Sequence, residues 1–160
     1  MAVVHCLGTG LIGAWVVKRL AAAGHEVHAY DLHPHSVLGV DGVTAHAVDL
    51  LDDMTPFQQN GPVDMVVNML PGSIGHVATT ILAESSYRIV DLSFSAYTPD
   101  RDDEKARDYG ATILWDVGIA PGLSNMLLSI ADRRIGPLQK AEVWVGGNPT
   151  GPHGEWSYMA

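Results

Sequence analysis

The start of the chain, from Met1 to Asp31, constrains the fold more than any other part of the sequence. An apolar run, Ala2 to Leu7, is followed by Gly8-Thr9-Gly10-Leu11-Ile12-Gly13, and a helical pattern then leads to a second apolar run. In a strand–helix–strand unit with this glycine spacing, the first glycine permits a tight turn, the second lets the backbone approach a pyrophosphate, and the third lets the helix pack on the strand. Free N–H groups at the helix start bind phosphate oxygens. A βαβ unit that binds a dinucleotide through residues 8–13 is therefore predicted, although such glycines also shape turns in other α/β proteins.

Asp31 predicts which cofactor the unit prefers. It ends the apolar run from Glu26 to Tyr30. A carboxylate at this place accepts hydrogen bonds from the ribose hydroxyls of an adenosine and repels a 2′-phosphate, so NAD is predicted over NADP. His33 and His35 follow closely, and positive charge on their rings would work in the opposite direction by attracting a phosphate.

Length and composition limit the class of protein. The 160 residues are 47% hydrophobic and 17% charged, which suits one compact domain and not two of full size. The net charge of −9 and the lack of Lys/Arg clusters argue against a nucleic-acid partner. No apolar run has the length of a membrane span and no leader pattern opens the chain, so we expect a cytoplasmic protein without a membrane partner. Cys6 is predicted to be a buried core residue rather than a nucleophile.

Apolar strands alternate with helical segments along the chain. Right-handed crossovers then predict an α/β, doubly wound Rossmann fold with a parallel sheet in the order 3-2-1-4-5-6. The predicted strands are residues 2–7, 26–30, 43–46, 63–70, 87–92, 111–115 and 141–145, and helical segments are predicted at 50–59, 73–85, 99–109 and 123–135 as well as after the glycine turn.

The carboxyl ends of parallel strands meet at one edge of the sheet, where ligands bind. This places Asn68, Met69, Leu70 and Pro71 after the fourth predicted strand, and Ser93 after the fifth, beside the glycine turn. We predict these five residues as further cofactor contacts. For residues 68–71 the alternative is a plain strand end that a proline stops.

Several downstream segments resemble the saccharopine dehydrogenase and lysine dehydrogenase family. They are residues 63–71 (VDMVVNMLP), 87–94 (YRIVDLSF), 116–125 (DVGIAPGLSN) and 145–149 (VGGNP). The resemblance implies an oxidoreductase that exchanges a hydride between a nicotinamide cofactor and a small amino acid, such as lysine or saccharopine, at a C–N bond. Ala120 lies where the saccharopine branches of the family usually have aspartate, so the resemblance is closer to the lysine dehydrogenase branch.

Two residues in the third of these segments are the candidates for catalysis. Asp116 ends the sixth predicted strand, where a carboxylate can orient a substrate ammonium group, and Asn125 can supply a hydrogen bond. The alternative for Asp116 is a structural carboxylate in a turn or helix cap. The eight histidines lack the spacing of a helical metal pair and have no neighbouring cysteines, so no metal site is predicted.

The domain boundary is predicted near residue 137. Residues 1–137 form the NAD(P)-binding domain, and residues 138–160 form the first strand and stub of a substrate and dimerisation domain, which the family resemblance implies continues further. A strand at 141–145 would be an open edge, so a homo-oligomer through this edge is expected. Two classes of function stay open: an amino-acid dehydrogenase or its cofactor-binding part, and a non-catalytic dinucleotide-binding module or incomplete gene fragment.

Overall fold

The computed structural model of this chain describes residues 1–52, 61–95 and 97–145. It divides into two units, one from Met1 to Trp115 and one that begins at Asp116. The strands of the first unit are β1 (Val3–Leu7), β2 (Glu26–Asp31), β3 (Val43–Ala47), β4 (Met65–Asn68), β5 (Arg88–Asp91) and β6 (Thr112–Leu114), and its helices are α1 (Leu11–Ala22), α2 (Gly72–Leu82) and α3 (Asp103–Tyr109). The second unit contains α4 (Leu123–Ile135).

The six strands of the first unit form one parallel sheet in the order β3-β2-β1-β4-β5-β6. The predicted Rossmann order is therefore confirmed. Strand β1 pairs with β2 on one side and with β4 on the other, so the chain reverses its winding direction there. In open α/β sheets, ligands bind beyond the carboxyl ends of the strands at such a switch point.

Helices cover both faces of the central strands, and this explains why those strands read as continuous apolar runs. Successive side chains of β1 point to opposite faces. Cys6 packs with Val17 of α1 on one face, and Leu7 packs with Leu82 of α2 on the other. The prediction that Cys6 is a core residue is confirmed, and burial raises the pKa of its thiol to about 12.

A row of aromatic rings crosses β1, β2 and β3 on the face that Leu7 shares. His5 and Tyr30 are fully buried, and the Tyr30 hydroxyl lies 3.0 Å from His5 Nδ1. His28 Nδ1 lies 3.0 Å from His46 Nε2 on the neighbouring strand. Ring centroids of His5 and His28 are 4.8 Å apart, and those of Tyr30 and His46 are 4.5 Å apart. The row therefore places three imidazoles in a partly apolar environment.

The predicted seventh strand at residues 141–145 is wrong, because the structure contains no strand there. A strand needs a neighbour that pairs with its backbone N–H and C=O groups, and no described segment pairs with these residues. Trp144 is 89% exposed, so apolar composition alone does not bury this segment. The oligomer expected through this edge stays a prediction.

Two further expectations concern helices. The helical stretch predicted at 50–59 lies mostly outside the described residues, and residues 50–52 form a turn. The helix predicted at 99–109 is divided into a 3-10 turn at Pro99–Asp102 and the α-helix α3.

Among the described residues, no helix is both long and apolar enough to cross a membrane.

Candidate cofactor site

Four connecting segments leave the sheet at the carboxyl edge, and sheet hydrogen bonding fixes the first residue of each. In every case the backbone N–H of that residue donates to the carbonyl oxygen of a neighbouring strand. Loop starts held in this way cannot drift relative to one another without breaking the parallel hydrogen-bond ladder. The bonds run from Gly8 to Tyr30 (2.8 Å), from Val48 to Asp31 (3.0 Å), from Met69 to Leu7 (2.8 Å) and from Leu92 to Asn68 (2.8 Å).

The three glycines of the first loop have different structural reasons. Gly8 has a φ of +89°, and a Cβ there would lie 2.9 Å from the Met69 carbonyl oxygen. A Cβ at Gly13 would overlap the Gly8 carbonyl oxygen, so α1 approaches the turn through this glycine. At Gly10, by contrast, a Cβ would meet no atom of the described residues within 4 Å. Packing among the described residues therefore does not require glycine at position 10, and the backbone there is open to the close approach of a ligand.

The start of α1 is suited to an anion. The N–H groups of Leu11, Ile12 and Gly13 lie in its first turn, where no carbonyl of the helix can accept their hydrogen bonds. Within the described residues, no side chain caps this end, and the first turn has no acidic residue. The positive end of the helix dipole is thus open beside Gly10, which is the arrangement that binds a phosphate.

The Asp31 carboxylate joins the end of β2 to the glycine turn. Its Oδ2 accepts the Thr9 N–H at 2.6 Å, and its Oδ1 accepts the His33 N–H at 2.8 Å. Burial raises the pKa of Asp31, but the hydrogen bonds from His33 and Thr9 outweigh burial, so that its pKa lies below the ordinary value of 3.8. Each oxygen keeps further acceptor capacity. The ionised group can therefore hold the turn and still accept ribose hydroxyls.

Asn68 lies at the end of β4, and its side chain is committed to the protein interior. The residue is fully buried. Its Nδ2 donates to the Gly75 carbonyl oxygen and to Thr79 Oγ1, each at 2.9 Å, and its Oδ1 accepts the Leu70 N–H at 3.2 Å. This side chain therefore fastens β4 to α2 and fixes the loop, while the Met69 backbone contacts the glycine turn. Pro71 is the N-cap of α2.

Ser93 follows β5 and is also buried. Its N–H donates to Asp91 Oδ1 at 2.7 Å. Its hydroxyl oxygen has no hydrogen-bond partner among the described residues. A Cβ at Gly75 would overlap the Ser93 side chain, so α2 approaches the end of β5 through a glycine.

Thr79 is a further residue of this region that the sequence motifs do not indicate. This residue bonds with the side chains of both Asn68 and Asp91. A signal was present, because Gly75 and Thr79 are four residues apart and lie on one face of α2.

The two candidates for catalysis belong to the second unit. Asp116 has a φ of +55°, which is uncommon for a residue with a side chain. Asn125 Oδ1 accepts the Gly122 N–H at 3.1 Å and the Ser124 hydroxyl at 3.2 Å, at the start of α4. A Cβ at Gly122 would lie 2.5 Å from the Asp116 carbonyl oxygen, so this loop folds tightly on itself. The catalytic roles of Asp116 and Asn125 stay predictions.

No metal centre emerges from the part of the chain that the structure describes. No group of three or more His, Cys, Asp or Glu side chains there is arranged to hold a metal ion. Sheet order, glycine turn and open helix start together define the class of protein: an NAD(P)-binding domain of the Rossmann type.

Comparison with family models gives the family. The model of the NAD dependent epimerase/dehydratase family matches residues 8–91, more than half of the chain, and the chain belongs to this family. The matched region runs from the first glycine of the turn to the end of β5 and so contains the glycine turn, Asp31 and residues 68–71, while Ser93 lies just beyond it.

A curated relative supports the resemblance to the saccharopine dehydrogenase group. The chain is 27% identical over 119 residues to an alpha-aminoadipic semialdehyde synthase from Arabidopsis thaliana, and the match covers 72% of this chain. It covers only 11% of that relative, so the chain spans about a tenth of the relative's length.

Solved structures confirm the fold. An aspartate dehydrogenase from Thermotoga maritima matches with a TM-score of 0.53 and 21% identity, over 82% of this chain and 52% of that one. The WlbA dehydrogenase from Bordetella pertussis, in complex with NADH and UDP-GlcNAcA, matches with a TM-score of 0.60 and 15% identity, over 83% of this chain and 42% of that one. The chain therefore spans about half or less of these two proteins, and at such identities the likeness is one of fold.

Proposed function

We propose that this chain is the cofactor-binding part of an NAD-dependent oxidoreductase that acts on an amino acid at a C–N bond. The observation that carries the proposal is the open space at Gly10 beside the uncapped start of α1, with the Asp31 carboxylate next to it. A dinucleotide fits these features, because they offer backbone N–H groups to a pyrophosphate and a carboxylate to a ribose.

The roles of the individual residues follow from this fit. The backbone N–H groups of residues 10–13 bind the phosphates, and Asp31 accepts the hydroxyls of the adenosine ribose. In this proposal Met69, Leu70 and Pro71 contact the cofactor beyond the end of β4, and Ser93 contacts it beyond the end of β5. Asn68 acts through the fold, since its side chain is bound within the protein.

The preference for NAD over NADP rests on Asp31. Its carboxylate is held ionised by two backbone N–H groups, so it presents a fixed negative charge where NADP carries its 2′-phosphate. The negative charge of the 2′-phosphate would be repelled by the Asp31 carboxylate, whereas the ribose hydroxyls of NAD would donate hydrogen bonds to it.

The amino-acid substrate is the more specific part of the proposal. It is supported by the resemblance of residues 116–125 to the saccharopine and lysine dehydrogenases and by the match to the semialdehyde synthase. When bound, a nicotinamide cofactor supplies or accepts the hydride. In this proposal Asp116 orients the substrate ammonium group and Asn125 donates a hydrogen bond to the substrate.

Two measurements test the proposal in order. Calorimetric titration with NADH and with NADPH comes first, and tighter binding of NADH is expected. Reduction of NAD by a panel of amino acids that includes lysine and saccharopine comes second. Asp116→Asn is the matched variant, since it removes one charge; we expect it to lose turnover and keep its NADH affinity.

Each result tests a different part of the proposal. Failure of both dinucleotides to bind contradicts the cofactor site itself. Binding of NADH without turnover of any amino acid contradicts the enzyme and favours a non-catalytic dinucleotide-binding module. Turnover that Asp116→Asn leaves unchanged contradicts the role of Asp116 alone.

A further inference from the structure

A buried network of polar side chains connects β4, α2 and β5. Its members are Asn68, Thr79 and Asp91, each at most 5% exposed, together with the backbone of Ser93. Asn68 Nδ2 donates to Thr79 Oγ1 at 2.9 Å. Thr79 Oγ1 lies 2.5 Å from Asp91 Oδ2, and Asp91 Oδ1 accepts the Ser93 N–H at 2.7 Å. Polar groups buried to this extent are costly unless they are bonded to each other.

The network has a direction, which follows from its donors and acceptors. The Thr79 hydroxyl has one proton, and both the Gly75 carbonyl oxygen and the Asp91 carboxylate lie within its reach. A carboxylate is the stronger acceptor and has the shorter contact, so Thr79 donates to Asp91. Its lone pair then receives the Asn68 amide. Thr79 therefore connects the Asn68 side chain at the end of β4 with the Asp91 side chain at the end of β5.

Both ends of the network hold segments of the sheet's carboxyl edge. Asn68 Oδ1 accepts the Leu70 N–H, which fixes the loop after β4. In this loop the Met69 carbonyl oxygen lies so close to Gly8 that a Cβ there would approach it to 2.9 Å. Asp91 fixes the Ser93 backbone in the segment after β5. A shift of Thr79 would thus be transmitted to two of the segments around the cofactor site.

These segments lie on the opposite side of β1 from Asp31. In doubly wound folds, each half of the sheet receives one half of the dinucleotide. Asp31 on β2 belongs to the adenosine half, so the ends of β4 and β5 belong to the nicotinamide half.

We propose that Thr79 and Asp91 are positioning residues, which set the two strand-end segments that receive the nicotinamide half of the cofactor. The inference rests on the proposed function. It predicts that damage to the network weakens binding of the whole dinucleotide while binding of the adenosine half is retained, and a residue with a purely structural role would not separate the two.

The test compares three variants of neighbouring threonines in the full chain. Thr79→Val keeps the shape and removes the hydroxyl, and Thr79→Ser restores the hydroxyl. Thr80→Val is the matched control, because Thr80 bonds instead to Asp102 Oδ2 at 2.9 Å and to Arg101 Nη2 at 2.6 Å. Affinities for NADH and for AMP, which has only the adenosine half, are measured by calorimetry at a temperature where each variant is folded.

Thr79→Val is expected to raise the Kd for NADH about tenfold and to keep the Kd for AMP within about twofold. Thr79→Ser and Thr80→Val should bind both ligands like the wild type. An unchanged NADH affinity in folded Thr79→Val overturns the inference, and so does an equal loss for AMP or a Thr79→Ser variant as weak as Thr79→Val. If Thr79→Val does not fold, Asp91→Asn gives the same comparison. Failure of the wild type to bind NADH contradicts the proposed function instead.

Discussion

The buried ring row predicts that acid destabilises this protein in a particular pH range. His5 is fully buried on β1, among His28 and His46 on the two next strands. Burial, with a smaller effect of positive charge on His28 and His46, lowers the pKa of His5 from 6.5 to about 4. The pKa of His46 is lowered as well, by burial and then by His28.

The sign follows from which state binds the proton. The unfolded chain takes up a proton at His5 near pH 6.5, whereas the folded protein does so only near pH 4. The contribution of His5 to the free energy of unfolding is therefore fully present above about pH 6.5. It decreases as the pH falls from there, and below about pH 4 it changes no further. At about 1.4 kcal/mol for each pH unit, the loss due to His5 is at most about 3 kcal/mol. This is a large fraction of the stability of about 5–15 kcal/mol that is usual for a domain.

The assay is urea unfolding of the wild type and of His5→Phe at several pH values between 7.5 and 4, chosen to span about one unit beyond the ordinary histidine value. His5→Phe keeps a ring in the row and removes the titrating group. Its free energy of unfolding should therefore fall less between pH 7.5 and pH 4 than that of the wild type, and the difference between the two losses should be up to about 3 kcal/mol. His35→Gln changes an exposed histidine and should follow the wild type. If acid lowers the free energy of unfolding equally in the wild type and in folded His5→Phe, His5 is not the group that destabilises the protein.

Three shorter predictions concern the glycine turn, Asp31 and the single cysteine. Gly13→Ala places a methyl group on the Gly8 carbonyl oxygen, so we expect the free energy of unfolding to fall by about 1–3 kcal/mol; a urea midpoint like that of the wild type would contradict this. Asp31→Asn removes the charge that repels a 2′-phosphate, so the ratio of the NADH to the NADPH affinity should fall about tenfold in calorimetry; an unchanged ratio would show that Asp31 does not set the preference. Cys6 is buried and its thiol pKa is raised to about 12, so a thiol reagent should modify it only after unfolding; rapid reaction in native buffer would argue against this burial.

Local sequence patterns contained most of the fold. The strand order follows from alternating strands and helices with right-handed crossovers, and each apolar run from β1 to β6 was found where the sequence predicts it. Residues 141–145 show the limit of this reasoning. Their apolar composition resembles that of a strand, but strand formation depends on a partner elsewhere in the chain, which composition does not reveal.

The candidate site was predictable where it depends on the backbone and less so where it depends on side-chain pairing. Gly8 and Gly13 have the tight contacts that the motif implies. The Asp31 carboxylate also accepts hydrogen bonds from the Thr9 and His33 N–H groups. These bonds depend on how two loops approach each other, which the sequence does not show. The same is true of Thr79, whose partners lie on two different strands.

Calorimetric titration of the wild type and of Gly10→Ala with NADH tests whether a dinucleotide lies against Gly10. A Cβ at Gly10 meets no atom of the described part of the chain within 4 Å, and the φ of −63° at this position suits any residue, so the variant should unfold like the wild type. We predict that the wild type binds NADH and that Gly10→Ala binds it at least about tenfold more weakly, because the methyl group takes the place of a pyrophosphate oxygen. A wild type that does not bind NADH, or a Gly10→Ala variant that binds it equally well, would contradict the placement of a dinucleotide against Gly10.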